Sequence, residues 1–264
     1  MGVHPKALLT EFWAKFDFDS APYIHPSDRA TGILAERDFL SKVIDLDTFV
    51  RSDHYGTNST LLHPHLLPSP FAGDLHRGDV FVLMLNPGFN VGDYFGERQP
   101  SFRRALRATL DQKLEDEEFP FMWLNPELSF HPGFGWWWGK KLRGLIERLA
   151  GQWNSSHYEA SKRLSRRFVG LELFPYHSQS FDPKHISKKL PSMEVMLDYV
   201  KSLGKRAQSG EVFISVMRKS TVWNLPECDC VHVFSPGAAR GAHLSPDTDA
   251  GQKIIDFINR NPRE

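Results

Sequence analysis

The chain has only two cysteines, no long apolar run and no net charge. The scarcity of cysteine and the absence of a long apolar run each exclude a class of protein. Cys228 and Cys230 stand one residue apart, too close for an ordinary disulfide bond and too few to hold an iron–sulfur cluster. No stretch approaches the roughly 18 apolar residues of a membrane span, and the N-terminus lacks the apolar core of a signal peptide. We therefore expect a cytoplasmic protein without membrane contact, in which both cysteines are small core residues.

The zero net charge conceals an uneven distribution along the 264 residues. Residues 1–97 carry 7 Lys and Arg against 13 Asp and Glu, whereas residues 98–264 carry 25 against 19. The window 140–240 has 17 basic and 9 acidic residues, a net charge of +8. Such a basic region is compatible with a polyanionic ligand, although charge runs more often form a solvated surface.

Residues 80–90, with the sequence VFVLMLNPGFN, are the most informative part of the chain. Six consecutive apolar residues predict a strand that is buried on both faces, and Pro87 and Gly88 force the chain to turn directly after it. Ligands of open α/β sheets bind beyond the carboxyl ends of the strands, which is where Asn86 stands. Asn86 therefore has two interpretations, an ordinary turn residue or a polar group that contacts a ligand or orients a water molecule.

The apolar periodicity predicts helices that alternate with strands from residue 80 onwards. Strands are predicted at 80–85, 167–178, 212–216 and 230–235, and helices at 5–16, 35–50, 101–118, 139–153, 191–208 and 245–261. Helix-linked apolar strands indicate an α/β fold with three layers, α/β/α, around a central, mostly parallel four-stranded sheet. Residues 1–75 are predicted to form an N-terminal helical appendage packed on the main domain, residues 76–264.

Three of the predicted strands end in a turn that contains proline, at Asn86-Pro87-Gly88, Phe174-Pro175 and Ser235-Pro236. With the order of the elements over residues 80–260, these turns resemble the uracil-DNA glycosylase superfamily. Nearest in the first motif are its mismatch-specific and single-strand-selective branches, which carry Gly-x-Asn-Pro-Gly. Here Met84 and Leu85 precede the turn, so the leading glycine is absent. The resemblance implies a uracil-DNA glycosylase-like fold and hydrolysis of the N-glycosidic bond of a base extruded from DNA.

The resemblance assigns the first catalytic role to Asn86. In that family the Asn of the first motif positions the water that attacks the sugar carbon as the base departs. The backbone at Pro87 and Gly88 is then expected to meet a phosphate, and Phe89 to stack on the extruded base.

The family's second strand often carries an Asn about three residues before a Pro, and its amide reads the edge of the base. The matching residue here is Glu172. Phe174, which stands beside Pro175, is also expected to bind the substrate. A carboxylate only accepts hydrogen bonds, so Glu172 favours an amino-bearing base, or no base at all. The alternative is a register error, or a Glu172 side chain that points outward.

The last motif of the family is a His-Pro-Ser-type turn, whose His stabilises the charge that develops on the leaving base. Ser235 occupies that His position here, and His243, eight residues later, is the candidate to replace it. Arg240 lies between them on a loop of small residues and is expected to bind phosphate. The alternatives are a flexible surface loop and a surface histidine.

Three consecutive tryptophans, Trp136, Trp137 and Trp138, precede Lys140 and Lys141. Aromatic rings beside cations suit a platform on which bases stack, and Trp136 is the predicted substrate-binding member. The alternative is core packing, because three consecutive rings do not all face one ligand.

No sequence pattern predicts a metal site or a nucleotide-binding loop, so we expect no cofactor. The expected partner is DNA, and a monomer is expected. The absent leading glycine, Glu172 in place of Asn and Ser235 in place of His also support an alternative, a catalytically inactive relative that binds nucleic acid or a protein. A third hypothesis, hydrolysis of free nucleosides, is favoured by a closed pocket without a basic groove.

Overall fold

A computed structural model of the protein describes residues 5–35, 40–235, 237 and 243–263. At its centre is a sheet in the order β1-β3-β2-β4-β5, formed by β1 (Phe71–Ala72), β2 (Val80–Met84), β3 (Phe168–Glu172), β4 (Phe213–Val216) and β5 (Val231–Val233). Strands β2 to β5 run parallel, and β1 pairs antiparallel with β3 at the edge. The predicted α/β class is confirmed. The predicted strand number is wrong, because the two-residue β1 adds a fifth strand.

Helices surround the sheet. Within the described residues the α-helices are α1 (Pro5–Trp13), α2 (Pro26–Ala30), α3 (Leu46–Val50), α4 (Asp93–Gly96), α5 (Pro100–Leu110), α6 (Pro132–Phe134), α7 (Arg143–Gln152), α8 (His157–Ser165), α9 (Lys184–Ser187), α10 (Pro191–Gln208), α11 (Ser220–Trp223) and α12 (Asp249–Arg260). Short 3-10 helices occur at Ile33–Ala35, Met122–Leu124 and Pro126–Leu128, and a π-helix at Gly135–Leu142. No helix in this described part of the chain is both long and apolar enough to cross a membrane.

The predicted helix at 35–50 is wrong except for its last turn, α3. The side chain of Asp45 accepts a hydrogen bond from Thr48 N at 2.8 Å, and Thr48 Oγ1 accepts one from Asp45 N at 3.0 Å. This capping box starts the helix only after Asp45. Upstream, Leu40 pairs with Leu62 in an isolated bridge, and the remaining part of the prediction includes positions outside the described residues.

Two other predicted helices begin elsewhere. The first four residues of the predicted helix at 139–153 belong to the π-helix, and α7 begins at Arg143. The closing helix, α12, begins after Thr248 and not at Ser245, because the Thr248 hydroxyl accepts a hydrogen bond from Gly251 N at 3.1 Å. A threonine hydroxyl that satisfies an amide of the first turn is a strong N-cap.

Helices cover both faces of the sheet. Phe81 points to one face, where its ring centroid lies 6.4 Å from that of Tyr199 on α10. Phe213 pairs in register with the residue before Phe81, so its side chain points to the opposite face. There its ring centroid lies 5.9 Å from that of Phe257 on α12. The described residues therefore form helix, sheet and helix layers around the main apolar core.

The N-terminal segment shares this core. Leu9 and Trp13 of α1 belong to the same buried cluster as the strands, and α1 packs against α10. Phe71, also from this segment, lies in β1 and pairs with Leu171 of β3. Residues 1–75 thus contribute a strand to the sheet as well as a helical cover.

The strand order creates a topological switch point beside β2. From β2 the chain first adds β3 on one side and then crosses to the other side to form β4. Connections that leave a sheet in opposite directions open a crevice at the carboxyl ends of the strands, where ligands of such sheets bind. The segments that follow β2 and β4 both border this crevice.

Candidate functional site

A cleft of about 1810 Å³ lies at the carboxyl edge of the sheet. Its walls come from the segments that follow β2, β3 and β4 and from the π-helix. Pockets for small molecules usually measure about 300–1,000 Å³, so this cleft has room for a larger ligand.

Six of the predicted site residues border this cleft, although they come from three separate segments. These are Asn86, Pro87, Gly88, Phe89, Trp136 and Glu172. The strand order explains why the first motif and Glu172 meet, because β2 and β3 are neighbours that end at the same edge.

The other predicted site residues do not border the cleft in the described structure. Phe174 is 1% exposed and stacks on His185 with ring centroids 4.8 Å apart, so it is a core residue instead of a ligand contact. Ser235 and His243 are exposed and lie outside the cleft lining. Arg240 lies outside the described residues.

Asn86 is held by the segment that follows β3. Its Nδ2 donates to Ser178 Oγ at 3.1 Å and to Ser178 O at 3.3 Å. Gly88 takes a φ of +72°, which lets the chain turn away from the strand. Within the described residues no donor binds Asn86 Oδ1, so the amide is oriented through its nitrogen and keeps its oxygen for a ligand or a water.

Glu172 ends β3 beside Met84 and is 8% exposed. Its Oε2 has no hydrogen-bond partner in the described part of the chain. Burial raises the pKa of Glu172 well above its usual range, and the charge of Arg218 lowers it by a smaller amount. Burial therefore favours the neutral carboxyl group, which presents both a donor and an acceptor. The sequence-based expectation that Glu172 prefers an amino-bearing base assumed a carboxylate. A neutral carboxyl group does not support that preference.

Phe89 is packed among other aromatic side chains at the edge of the cleft. Its ring stacks on that of His63 at 4.0 Å with an angle of 5°, and it contacts Phe49 edge-on at 5.0 Å. One face of the ring is thus covered by the protein. On the face covered by His63, the Phe89 ring therefore cannot stack on a base, as the sequence predicted it would.

The three tryptophans have different environments. Trp136 is 36% exposed at the cleft, and Lys141 Nζ lies 4.9 Å from its ring centroid. Trp137 is buried against β3, and Trp138 stacks on Phe134 with centroids 5.6 Å apart. Core packing therefore accounts for two of the three rings, and Trp136 remains the ring available for stacking. The π-helix produces this arrangement, and π-helical turns are frequent at functional sites.

Four basic side chains line the cleft: Lys140, Lys141, Arg218 and Lys219. Burial, followed by the charges of Arg218 and Lys140, lowers the pKa of Lys141. Lys140, Arg218 and Lys219 have no ion-pair partner within the described residues. Lys219 adopts a φ of +53°, and such backbone conformations in non-glycine residues concentrate at functional sites. The cleft therefore attracts anions.

The sequence interpretation missed four buried titratable residues of the cleft wall, Asp93, Glu97, His131 and His177. Burial raises the pKa of Asp93 to about 7 and that of Glu97 well above its usual range, while it lowers the pKa of His131 to about 3. Asp93 and Glu97 stand four residues apart directly after the turn, and that spacing places two carboxyl groups on one side of a helix. This spacing of Asp93 and Glu97 is the sequence signal from which the two carboxyl groups could have been predicted.

Within the described residues, no group of three or more His, Cys, Asp and Glu side chains is arranged to hold a metal ion. Cys228 and Cys230 are free thiols and are half-buried. The candidate chemistry of this site therefore comes from an amide, buried carboxyl groups, imidazoles and a cationic wall.

Comparison of the chain with protein-family models, with curated proteins and with solved structures gives no match. The resemblance to the uracil-DNA glycosylase superfamily accordingly rests on the three proline turns and the order of the elements.

Proposed function

We propose that the protein hydrolyses the N-glycosidic bond of a base extruded from nucleic acid. The observation that carries this proposal is the meeting of Asn86 and Glu172 in one cleft, at the carboxyl ends of neighbouring strands. The first supplies an oriented amide oxygen and the second a buried polar group. The cleft volume accommodates a base together with its sugar and flanking backbone.

Asn86 acts on the attacking water. Its Oδ1 accepts a hydrogen bond from that water and directs the water oxygen towards the sugar carbon C1′. The new C1′–O bond forms as the bond from C1′ to the base nitrogen breaks, and the bonding electrons leave with the base. The proton lost by the water passes to the released base or to solvent. An amide suits this position because it adds no negative charge near the phosphates.

Glu172 binds the base edge. As a neutral carboxyl group it donates to a base carbonyl or ring nitrogen and accepts from a neighbouring N–H. Uracil, hypoxanthine and amino-bearing bases all present such an edge. Glu172 therefore selects a hydrogen-bonding edge in general, and uracil is one of several candidate substrates.

The basic wall supports a nucleic acid over a free nucleoside. Lys140, Arg218 and Lys219 offer positive charge to phosphates, and Trp136 offers an exposed ring for a neighbouring base. A free nucleoside carries no phosphate and would make no ionic contact with these basic side chains.

The test uses oligonucleotides, single-stranded and duplex, that each carry one uracil, hypoxanthine or other modified base. Incubation with the protein followed by alkaline cleavage reveals abasic sites. We expect release of at least one base, and a loss of about 10²- to 10³-fold in rate for Asn86→Ala, the range typical of one polar group acting in the transition state. Asn261→Ala is the matched control, because its amide also donates to a backbone oxygen, that of Phe257 at 3.0 Å, away from the cleft.

A second candidate function, a binding module without catalysis, is favoured by one observation. Ser235 and His243, which were expected to support the leaving base, do not line the cleft. If no base is released but Trp136→Ala and Arg218→Met weaken oligonucleotide binding, the binding module replaces the hydrolase. If neither release nor binding occurs, both functions are excluded.

A further inference from the structure

His177 and Ser178 hold the Asn86 turn from its two ends. Ser178 binds the amide of Asn86. His177 Nδ1 lies 3.0 Å from Gly88 O at the other end of the turn, and His177 Nε2 lies 3.0 Å from Leu67 O. Both ring nitrogens thus face carbonyl oxygens, which only accept hydrogen bonds.

A neutral imidazole carries a single N–H group. In either neutral tautomer, one lone pair of the His177 ring faces a carbonyl oxygen at 3.0 Å. Only the imidazolium form donates to Gly88 and to Leu67 at the same time.

Glu97 is the acidic side chain next to Nε2 of this ring. Its Oε1 makes no hydrogen bond within the described residues and lies 3.4 Å from His177 Nε2. Its Oε2 accepts a hydrogen bond from Leu67 N at 2.5 Å. A carboxylate oxygen is a stronger acceptor of a backbone N–H than a neutral carboxyl oxygen, so the Leu67 contact favours a carboxylate.

We propose that Glu97 gives its proton to His177 and that the resulting imidazolium positions the Asn86 turn at the cleft. The Oε1–H bond of Glu97 breaks as the Nε2–H bond of His177 forms, so the total charge of the pair is unchanged. His177 is a positioning residue, because it acts on the turn through Gly88 O. The benefit to catalysis rests on the proposed function, whereas the proton assignment does not.

Burial opposes the separated charges of this pair. It lowers the pKa of His177 to about 4, against the two carbonyl contacts that raise it, and it raises the pKa of Glu97. These shifts favour a neutral ring beside a neutral carboxyl group, whereas the contacts of the ring favour the ion pair. The contacts outweigh burial, because a lone pair held against a carbonyl oxygen away from water has no compensating partner.

Charged groups on the neighbouring elements act on this pair in both directions. Asp93 Oδ2 lies 4.0 Å from His177 Nδ1. Besides burial, the charge of Asp93 raises the pKa of Glu97, whereas the charge of Arg103 on α5 lowers it by a smaller amount. His63, whose Nδ1 lies 2.8 Å from the Tyr94 hydroxyl oxygen, and His131 do not compete for the proton. Burial, followed by the charge on the His177 ring, lowers the pKa of each to about 3.

The test is a measurement of the imidazole ¹⁵N chemical shifts in the full chain labelled at histidine, between pH 5 and 9. We expect both ring nitrogens of His177 to carry protons at pH 7. Glu97→Gln removes the compensating carboxylate, so we expect it to convert the ring to a form with one N–H. The ring then loses its donation from Nε2 to Leu67 O. The turn that it holds through Gly88 O is therefore less firmly anchored, and hydrogen exchange at the amides of residues 88–90 should speed by roughly five- to tenfold.

Glu147→Gln is the matched control, because Glu147 is exposed on α7 and pairs with Arg143, far from this cluster. It should leave the His177 signals unchanged. A single N–H on His177 in the unaltered protein at pH 7 overturns the proposal, and this result does not depend on Glu97→Gln folding. Because no substrate is used, a failure of the proposed hydrolysis leaves the measurement unaffected.

Discussion

Strands β2 and β3 have buried ionisable groups near both of their ends, but only at the amino end are these groups fully hydrogen-bonded. At the amino end, Asp79 and Arg167 directly precede the two strands and join through contacts of 2.7 and 3.0 Å. Arg263 adds a contact of 3.1 Å to the same carboxylate. At the carboxyl end, Glu172 and Glu97 each keep a buried oxygen without a hydrogen bond in the described structure.

The two ends of the sheet therefore differ in their expected roles, one in stability and the other in ligand chemistry. A satisfied buried ion pair strongly resists the removal of one partner, whereas unsatisfied buried acids destabilise the fold and acquire shifted pKa values. We infer that the ion pair at the amino end of the sheet stabilises the fold and that the groups at the carboxyl end bind a ligand. Four substitutions test this comparison through the free energy of unfolding.

Breaking the amino end should have the largest effect on stability. Asp79→Asn leaves Arg167 buried without its carboxylate, and we expect a loss of about 3–5 kcal/mol. Urea denaturation at pH 7 measures it. The double variant Asp79→Leu with Arg167→Met should lose less than the single variant, since it leaves no unpaired charge. An equal or larger loss in the double variant would contradict the comparison.

At the carboxyl end, Glu172→Gln should change stability with the opposite sign. Unfolded Glu ionises near pH 4.3, whereas the folded group keeps its proton to higher pH, so the folded protein loses stability as the pH rises above that value. Gln removes this loss, and we expect a gain of roughly 1–3 kcal/mol at pH 8 and little change at pH 4. Denaturation at both pH values measures it. A gain that is equal at the two pH values would argue against a buried, protonated Glu172.

Asn86→Ala should have a smaller effect on the fold. It removes the two contacts to Ser178, and we expect a loss of about 1 kcal/mol in the free energy of unfolding. The expected loss of activity is far larger than this change accounts for. A loss above about 3 kcal/mol would instead make Asn86 a structural residue of the turn.

Trp136→Ala should leave stability within about 0.5 kcal/mol, because the ring is partly exposed at the cleft. Its affinity for single-stranded oligonucleotides should fall by roughly 5- to 150-fold, the effect of about 1–3 kcal/mol for a stacked base. Fluorescence anisotropy measures the affinity. Tyr158→Ala, an exposed aromatic substitution outside the cleft, is the matched control and should leave the affinity unchanged. Equal losses in the two variants would remove Trp136 from the ligand site.

The sequence predicted the parallel strands and the position of the Asn86 turn because those signals are local. An unbroken apolar run followed by Pro87 and Gly88 ends a buried strand wherever the rest of the chain lies. The helix at 35–50 failed for a local reason as well, since the Asp45 capping box outweighs the apolar periodicity before it.

The environment of the site residues was less predictable. Phe89 and Phe174 are both aromatic residues near a proline, yet one is stacked on His63 and the other is enclosed in the core. His177 was not a predicted site residue, because its partners Gly88 and Leu67 are distant in the sequence. Contacts of this kind depend on which strands become neighbours.

By itself the sequence determined the α/β class, the strand that carries Asn86 and the turn that places this amide at a carboxyl end. These follow from apolar runs and from the backbone limits of proline and glycine. Only the tertiary structure decided that burial favours the protonated form of Glu172, that Trp136 alone of three tryptophans is exposed at the cleft, and that His177 holds the turn. Burial and electrostatics sum over residues that are remote in sequence, so those properties exist only once the sheet and its layers have assembled.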